Sequence, residues 1–519
     1  MNWTLKLAPL LLVTASICSA QLAPEHHLMN TSRPASSGIL FDQAMSLMDA
    51  SYDSQAHLLR YTHQGPSHEP MHYMVRESSW YALGLLMRDR DGSHPADAER
   101  AIQILPAILD QQFLDPSVKW YGTFKRTPEE SGPIPGATAF TTYDPNWRHF
   151  IGTIFEAILI ECPNRIPTAL QQRMYHAIDA AVAGEMHDGR LVPSYSNIAL
   201  MYGALWNFAA VHDHNAQWLH DSAAWNQAVF DLFSRYGTFN EYNAPTYYGI
   251  DLFGLALWRE YGSTQHMRDM ARTMEYGLWK DIATFYQPEL RNLTGPYDRA
   301  YGMDMSTYVT PTGVWMRTVL PASIAPLPEH PTLDTYQISD LWLAPQITLL
   351  GTHVSANTIA TLSHFTGPRF VDRTIDDQRR ATAWIGHNAI WGGEFTSLTK
   401  DTGNKTQFHP VDIQWRLPAN QPGGSQIAWI ELTKSPTIDA VADQRGLSIT
   451  THGDVTFRIF TGATTPAPTQ ASWPLPSLAV TIHSDASGFT TQHPATCTTC
   501  TDVTYKDVHT MRLDIQPGN

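Results

Sequence analysis

The stretch NEYNAPTYYGIDLFGLALWREY, Asn240 to Tyr261, contains the two kinds of segment that decide the fold: a polar, aromatic segment and the helix that follows it. Its second half predicts a helix over residues 250–261, because apolar side chains recur there at helical spacing. Its first ten residues hold three tyrosines, two asparagines, a glutamate and a proline, an unusual content for a loop. A dense set of hydrogen-bonding side chains therefore precedes the start of a helix.

The same arrangement recurs along the first 320 residues. Amphipathic patterns predict helices in pairs over residues 74–88, 98–113, 144–159, 167–183, 197–211, 223–236, 250–261, 267–285 and 304–317. Polar, aromatic segments that contain proline (the lead-in segments) begin at residues 70, 143, 192, 240 and 295, the last four about fifty residues apart. Helix pairs in series are typical of α-hairpin arrays. If the pairs close into a ring, the lead-in segments lie at one rim and enclose one cavity.

Short alternating runs replace the helical spacing after about residue 330, as expected of strands. They cover residues 382–385, 427–432, 455–460 and 478–482, with turn residues between them. We therefore expect a multidomain α and β protein. Its predicted parts are an N-terminal (α/α) toroid over 21–320, a proline-rich linker over 321–335 and a C-terminal antiparallel β-sandwich over 336–519.

The N-terminus has the pattern of a secretory signal peptide. Lys6 precedes an apolar run over residues 7–15 and small residues at 18–20, which predicts cleavage after Ala20. No later segment approaches about 18 uninterrupted apolar residues. We expect a secreted, extracellular protein with no membrane partner. Glycosylation sequons occur at Asn30, Asn292 and Asn404.

Composition excludes several classes of function. The formal charge of −15 leaves no basic surface of the kind that binds nucleic acid. The 23 histidines would gain charge in an acidic medium. Cys497 and Cys500 are expected to form a local disulfide rather than a redox centre, because they lie in a threonine-rich tail of a secreted chain. We expect no cofactor and no metal, since the pair His212 and His214 has the pattern of an exposed helix end.

Signal peptide, helical toroid and β-sandwich together resemble the secreted polysaccharide lyases of the chondroitin-lyase, alginate-lyase and heparinase type. The resemblance is architectural and covers most of the mature chain. It implies carbohydrate metabolism, with an acidic polysaccharide as partner and β-elimination of a uronic-acid glycoside as the reaction. The helical half is also similar to linalool dehydratase/isomerase-like proteins and to toroidal glycoside hydrolases.

Elimination requires a neutralised carboxylate, a base and an acid, and the lead-in segments contain suitable groups. We expect Asn243, with Asn197 or Asn146, to bind the carboxylate. Tyr247 or Tyr301 would move the proton, His72 would be the partner base, and Arg299 would lower the tyrosine pKa. The further substrate-binding residues expected are Asn146, Asn197, Tyr242, Arg76, Glu241 and Asp304.

Other interpretations of these residues stay open. His72 could be structural, Arg76 could pair with Glu77, and Asn243 could form an Asx turn. A hydrolase would need two carboxylates, from Glu241, Asp144, Asp251, Asp298 or Asp304. A dehydratase or isomerase would act on a small hydroxylated molecule in a closed apolar pocket. A non-catalytic carbohydrate-binding protein is the third alternative.

Overall fold

The computed structural model describes residues 27–61, 72–402, 407–417, 426–462, 466–495 and 497–518. The predicted signal peptide and the sequon at Asn404 lie outside these ranges. The α-helices are α1 (Ala35–Ser51), α2 (Val75–Arg88), α3 (Pro95–Leu109), α4 (Trp147–Glu161), α5 (Thr168–Asp188), α6 (Ser196–His212), α7 (Ala216–Tyr236), α8 (Tyr247–Tyr261), α9 (Gln265–Phe285), α10 (Pro311–Val319), α11 (Ala344–Leu350) and α12 (Ala356–Ser363).

The strands fall into a minor and a major group. Among the helices lie β1 (Tyr52–Asp53), β2 (Leu58–Tyr61), β3 (His72–Met74), β4 (Tyr286–Gln287) and β5 (Asn292–Leu293). The major group follows the last helix and consists of β6 (Arg369–Thr374), β7 (Arg380–Ile385), β8 (Ala389–Phe395), β9 (Val411–Arg416), β10 (Ile427–Lys434), β11 (Asp439–Asp443), β12 (Gly446–Phe460), β13 (Ser472–Leu475), β14 (Leu478–Ser484), β15 (Gly488–Gln492) and β16 (Cys500–Pro517).

The helices close into a ring. Helices α2, α4, α6, α8 and α10 contact one another in that order, and α1 contacts both α10 and α2. The alternate helices α3, α5, α7 and α9 pack against α2, α4, α6 and α8. Helix α6 is buried almost all round, as an inner helix must be, whereas α7 buries only one stripe. The predicted toroid is therefore confirmed.

Two glycines of α8 allow the inner helices to approach closely. A side chain at Gly254 would meet the Leu200 Cβ of α6 at 2.6 Å. A side chain at Gly249 would meet the carbonyl carbon of Pro311, at the start of α10, at 2.3 Å. Protein interiors are close-packed, so a larger residue at either position would push neighbouring helices apart.

Strands β6 to β16 form one antiparallel sheet of eleven strands, which we call the sheet part. Its order is β13-β14-β16-β12-β10-β9-β8-β7-β6, with β11 added to β12 and β15 added to β16. Strand β11 also packs against β7 and β8, so the sheet folds over on itself and encloses its own core. The predicted strands at 382–385, 427–432, 455–460 and 478–482 lie within β7, β10, β12 and β14. The fold class, a helical toroid followed by an antiparallel β part, is confirmed.

The helical part extends beyond the boundary predicted at residue 336. A 3-10 helix (Ile338–Leu343), α11 and α12 occupy the start of the range expected to be β-sandwich. All of α11 is buried, against α1, α2 and α8, because the ring provides an apolar surface for it. The predicted linker is also packed: Arg291 donates to the carbonyls of Ala325 and Leu327, and both of these residues are buried.

Three local predictions have clear outcomes. Cys497 and Cys500 form the expected disulfide. The helix predicted from residue 304 begins only at Pro311, because Thr310 accepts a hydrogen bond from the Gly313 amide and caps it. The sequon asparagine Asn292 is fully buried and donates to the Met303 carbonyl, so it cannot carry a glycan in the folded protein. Among the described residues, no helix has the length and apolar character that a membrane crossing requires.

Candidate functional site

The lead-in segments at 240 and 295 bring two tyrosines and an arginine into contact. The hydroxyl groups of Tyr247 and Tyr301 lie 2.6 Å apart. Arg299 Nη2 donates to the Tyr247 hydroxyl at 2.7 Å, and its guanidinium lies 3.7 Å from the centre of the Tyr247 ring. Both the oxygen and the ring of Tyr247 therefore contact one cation. We call Tyr247, Tyr301, Arg299 and Glu241 the tyrosine cluster.

Glu241 holds Arg299 from the other side. Arg299 Nη1 donates to Glu241 Oε1 at 2.9 Å, while Asn197 Nδ2 and Ser196 Oγ donate to Oε2, the latter at 3.3 Å. Asn197 and Ser196 begin α6, so the helix start supplies these donors from its first turn. Burial raises the pKa of Glu241, and Arg299 opposes that shift. Because donors converge on both of its oxygens, we assign an ionised carboxylate at neutral pH.

A hydrogen-bonded chain continues along the rim to α4. Asn146 Nδ2 donates to the Tyr195 hydroxyl at 3.0 Å, and Arg190 Nη2 donates to Asn146 Oδ1 at 2.7 Å. Arg190 also pairs with Glu185 at 3.1 Å. The starts of α4 and α6 are thus joined through side chains, and Tyr195 also interacts with Arg299 of the tyrosine cluster, as expected if the lead-in segments share a rim.

Electrostatics keep Tyr247 protonated at neutral pH. Burial raises the pKa of Tyr247 well above its ordinary value, and Tyr301 adds to the rise, whereas Arg299 lowers it. Burial also raises the pKa of Tyr195, with Glu241 acting in the same direction. Tyr247 can therefore donate a proton, and Arg299 stabilises its oxygen as charge develops there.

The segment 297–300 lies between the ring and the sheet part. The Asp298 amide donates to the Tyr242 carbonyl on the ring side. On the sheet side, the amides of Tyr297 and Ala300 donate to the carbonyls of His409 and Gln407. The carboxylate of Asp298 meets Arg379 and Lys400 of the sheet part, whereas its neighbour Arg299 faces the ring.

Three predicted residues have roles inside the protein. Asn243 is buried and donates to the carbonyls of Thr294 at 2.7 Å and Pro296 at 2.9 Å, so its amide hydrogens hold the 295 lead-in segment. Tyr242 is fully buried and packs edge-on against Tyr248 and Phe285. Asp304 is buried, and one of its oxygens accepts from the amide and hydroxyl of Ser306. All three side chains are buried, and their expected contact with substrate stays a prediction.

His72 and Arg76 belong to the α2 side of the rim. His72 begins strand β3, where it is paired with Tyr61 of β2. Arg76 pairs with Glu77 and lies about equally far, 5.0–5.1 Å, from the ring centres of Trp80, Trp147 and Phe150. Its pairing with Glu77 is the alternative interpretation that the sequence left open.

Four residues near the cluster were not among the predicted site residues: Ser196, Tyr195, Arg190 and Gln407. The first two belong to the lead-in segment at 192 and share its signal. Arg190 follows the left-handed Gly189 that ends α5, and nothing in its sequence context marks it. Gln407 comes from the sheet part, 108 residues from its partner Arg299, a separation that no local pattern could reveal.

The protein also contains a cavity away from the cluster. It has a volume of about 640 Å³ and is lined by residues 50–55, 60–61 and 333–334. No member of the tyrosine cluster lines it, and we place the chemistry at the cluster, where the hydrogen-bonded phenols are. Across the described ranges, no three His, Cys, Asp or Glu side chains group closely enough to hold a metal ion.

A family profile described as a domain of unknown function, DUF8769, matches residues 38–352. The chain belongs to the DUF8769 family. The matched range covers the inner ring and every member of the tyrosine cluster, and it stops before the sheet part. A DUF8769 domain thus supplies the phenols, while Gln407 lies outside it. No curated protein matches the sequence.

Solved structures similar to this DUF8769 protein include three whose names describe them as heparinases or as a chondroitin lyase. Heparinase III matches with a TM-score of 0.42 and 8% identity, over 96% of this chain and 87% of that one. A heparinase III-BT4657 gene product matches at 0.35 and 10% identity, over 95% and 86%. A mutant of Streptomyces coelicolor chondroitin AC lyase matches at 0.36 and 10% identity, over 93% and 79%. These are the kinds of lyase that the sequence resembles, and at such identities the likeness concerns the fold.

Proposed function

We propose that the protein is a carbon–oxygen lyase that cleaves a uronic-acid-containing polysaccharide by β-elimination. The observation that carries this proposal is the contact between Arg299, Tyr247 and Tyr301. Two phenols share a hydrogen bond of 2.6 Å, and a guanidinium donates a hydrogen bond of 2.7 Å to one of them. Such a pair is suited to moving a proton between two atoms of one substrate.

The proposed step is a proton relay through neutral phenols. The Tyr301 oxygen takes the proton from the carbon next to the sugar carboxylate as its own hydroxyl proton passes to Tyr247. Tyr247 gives its proton to the glycosidic oxygen, whose bond to the sugar breaks while a carbon–carbon double bond forms. Both tyrosines end the step protonated, so protons and electron pairs balance. Arg299 stabilises the charge that develops on the Tyr247 oxygen.

The charge around the cluster supports an acidic substrate. The side chain of Arg299 is 26% exposed, so a substrate group can reach it from solvent. Three of its five N–H donors serve Glu241, Tyr247 and Gln407, which leaves donors for a further acceptor. The first residues of α6 and α8, Ser196 and Tyr247, contact Glu241 and Arg299, and the positive end of a helix dipole favours an anion. This local field opposes the repulsion expected from the net charge of −15.

The alternative reactions have weaker support from the geometry. A hydrolase needs a carboxyl pair facing the substrate, but Glu241 is held by Arg299 and Asn197, and Asp298 by Arg379 and Lys400. A dehydratase or isomerase on a small molecule would favour a closed apolar pocket. The tyrosine cluster is polar, and its tyrosines and arginine are half-buried.

The proposal includes secretion, which rests on the signal-peptide pattern of residues 1–20 and on no structural observation. A secreted lyase would meet polysaccharides outside the cell. N-terminal sequencing of protein collected from the medium would find Gln21 as the first residue. A first residue within the apolar run would contradict that cleavage site.

The reaction is tested with a panel of uronans of alginate, glucuronan, pectic and glycosaminoglycan type. Elimination leaves an unsaturated sugar, so ultraviolet absorbance should rise together with new reducing ends on at least one polymer. Reducing ends without the absorbance would identify hydrolysis. Binding without any cleavage would favour a carbohydrate-binding protein, and the Tyr247→Phe variant then should bind as well as the parent.

A further inference from the structure

Gln407 of the sheet part completes the surroundings of Arg299. Arg299 Nε donates to Gln407 Oε1 at 3.0 Å, and the Ala300 amide donates to the Gln407 carbonyl at 2.9 Å. Gln407 therefore has its side chain and its backbone fixed by consecutive residues of the 295 lead-in segment. The side chain is half-buried, so part of it reaches solvent beside Arg299.

The orientation of the Gln407 amide is determined by its partner. A guanidinium nitrogen can only donate, so the atom that faces Arg299 Nε must be the amide oxygen. The Gln407 NH2 group then points away from Arg299 Nε. Within the described residues, the structure records no acceptor for this NH2 group. It carries two N–H donors next to a cation, the arrangement that binds a carboxylate.

The asparagines expected to bind the substrate carboxylate are engaged elsewhere. Asn243 donates to two backbone carbonyls, and Asn197 donates to Glu241. Asn146 donates to Tyr195 and accepts from Arg190. Using any of these amides for substrate would break an internal hydrogen bond, whereas using the Gln407 NH2 group would break none.

We infer that Gln407 is a substrate-binding residue that the sheet part contributes to the site, donating from its NH2 group to the carboxylate of the uronic acid beside Arg299. This inference rests on the proposed function for the identity of the acidic sugar. The glutamine side chain has no titratable group. Its contribution to binding the carboxylate therefore does not depend on its own protonation state. The ring supplies the proton-transfer groups, and the sheet part supplies a contact to the acid group.

The test measures binding and not turnover, in a Tyr247→Phe background that cannot complete the reaction. Calorimetry compares this protein with a version that also carries Gln407→Glu. Glutamate keeps an oxygen for Arg299 Nε but replaces the donor with negative charge. Two ligands are used: an acidic uronan oligosaccharide and the same oligosaccharide after methyl esterification. Gln516→Glu on β16, an exposed position, is the control with the same charge change.

The expected result is a loss of about tenfold or more in affinity for the acidic oligosaccharide in Gln407→Glu, as for a hydrogen bond to a charged group. The esterified oligosaccharide and the Gln516→Glu control should show no more than about a twofold change in affinity, which is small on the scale of a single hydrogen bond. If Gln407→Glu unfolds at a lower temperature than the parent, Gln407→Met, which removes donor and acceptor without adding charge, replaces it.

Equal affinity with and without the Gln407 change would overturn the inference, as would an equal loss for both ligands. Binding that depends on Gln407 in a parent that cleaves no uronan would support the inference and reject the lyase reaction. Cleavage by the parent with affinity independent of Gln407 would do the reverse. A parent that neither binds nor cleaves any polymer of the panel would overturn both.

Discussion

The hydroxyl groups of Tyr247 and Tyr301 lie 2.6 Å apart, although 54 residues separate them in the chain. Tyr247 is the first residue of α8, and Tyr301 belongs to the loop before α10. Helices α8 and α10 are neighbours in the ring, so ring closure itself sets this contact. The phenol pair is therefore a product of the toroid and not of a local motif.

Replacing either phenol should stop the proposed relay. We expect Tyr247→Phe and Tyr301→Phe each to lower kcat by about 10²- to 10⁴-fold, the usual range for a lost proton-transfer group. KM should change much less. Initial rates on the active uronan, followed by ultraviolet absorbance, provide the measurement. Tyr276→Phe, at a position 59% exposed on α9, is the matched control and should keep full activity. A Tyr301→Phe variant with normal kcat would rule out the relay.

We expect the positive charge of Arg299 to be insufficient for full activity without the several N–H donors of its guanidinium group. Arg299→Lys keeps the charge but cannot serve Glu241, Tyr247 and Gln407 together. We expect kcat to fall about 10²-fold, as when one donor that stabilises a developing anion is removed. Steady-state kinetics measure the change.

Arg272→Lys, in an exposed surface pair with Asp269, is the control for that substitution. The pH profile gives a second readout. Burial already raises the pKa of Tyr247 and Arg299 opposes the rise, so weakening Arg299 should move the loss of activity at alkaline pH to still higher pH. A shift toward lower pH would contradict the assigned role.

A buried glutamate in α4 should make stability depend on pH. Burial raises the pKa of Glu156 from 4.5 to about 8. The folded state therefore holds this proton more tightly than the unfolded state does. Ionising this buried carboxyl lowers the free energy of unfolding. The loss is absent below about pH 4.5, grows as pH rises and is complete above about pH 8, where it reaches roughly 3 to 5 kcal/mol.

The Glu156→Gln substitution keeps a side chain of similar shape and replaces the titrating carboxyl group with a neutral amide. Urea unfolding at several pH values should show that this variant gains stability over the parent as pH rises from 5 to 8. The difference between the two proteins should be smallest at acidic pH. A constant difference across this range would mean that Glu156 is not the group responsible.

Asn243 should matter for stability, because its side chain is buried and bonded within the protein. It has a left-handed backbone, with φ of 42°, and holds the carbonyls of Thr294 and Pro296. Asn243→Asp removes both donors and buries a charge, so we expect a loss of about 2 to 4 kcal/mol in the free energy of unfolding. Glycine adopts the left-handed backbone of this position without strain, so Asn243→Gly should lose less free energy of unfolding, about 1 to 2 kcal/mol. Equal stability of the three proteins in urea would contradict this account.

The ring could be predicted from sequence because each helix carries its own periodic pattern. The expected meeting of the lead-in segments at 240 and 295 is also observed, since Tyr247 and Glu241 contact Arg299. The same pattern could not separate Tyr247 from Tyr242, five residues earlier. Tyr247 is half-buried at the rim, whereas Tyr242 is fully buried. The difference depends on how the loop turns at Asn243.

The contribution of the sheet part could not be predicted at all. Some of its contacts with segment 297–300 are backbone hydrogen bonds, which any sequence can form. The others join side chains that lie far apart in the chain, such as Asp298 and Arg379, 81 residues apart. The boundary near residue 336 was placed too early for a related reason. The apolar residues of α11 form too short a run to distinguish a helix from a strand by periodicity.

The alternation along segment 297–300 has a consequence for how this protein could be divided or recombined. Asp298 is bonded to the ring through its amide and to the sheet part through its carboxylate. Arg299 is bonded to the ring through Glu241 and to the sheet part through Gln407. The two halves are therefore not interchangeable modules. Joining this ring to a foreign β part would separate Arg299 from Gln407, and Asp298 from Arg379 and Lys400, so a working chimera would have to keep segment 297–300 together with its partners in both halves.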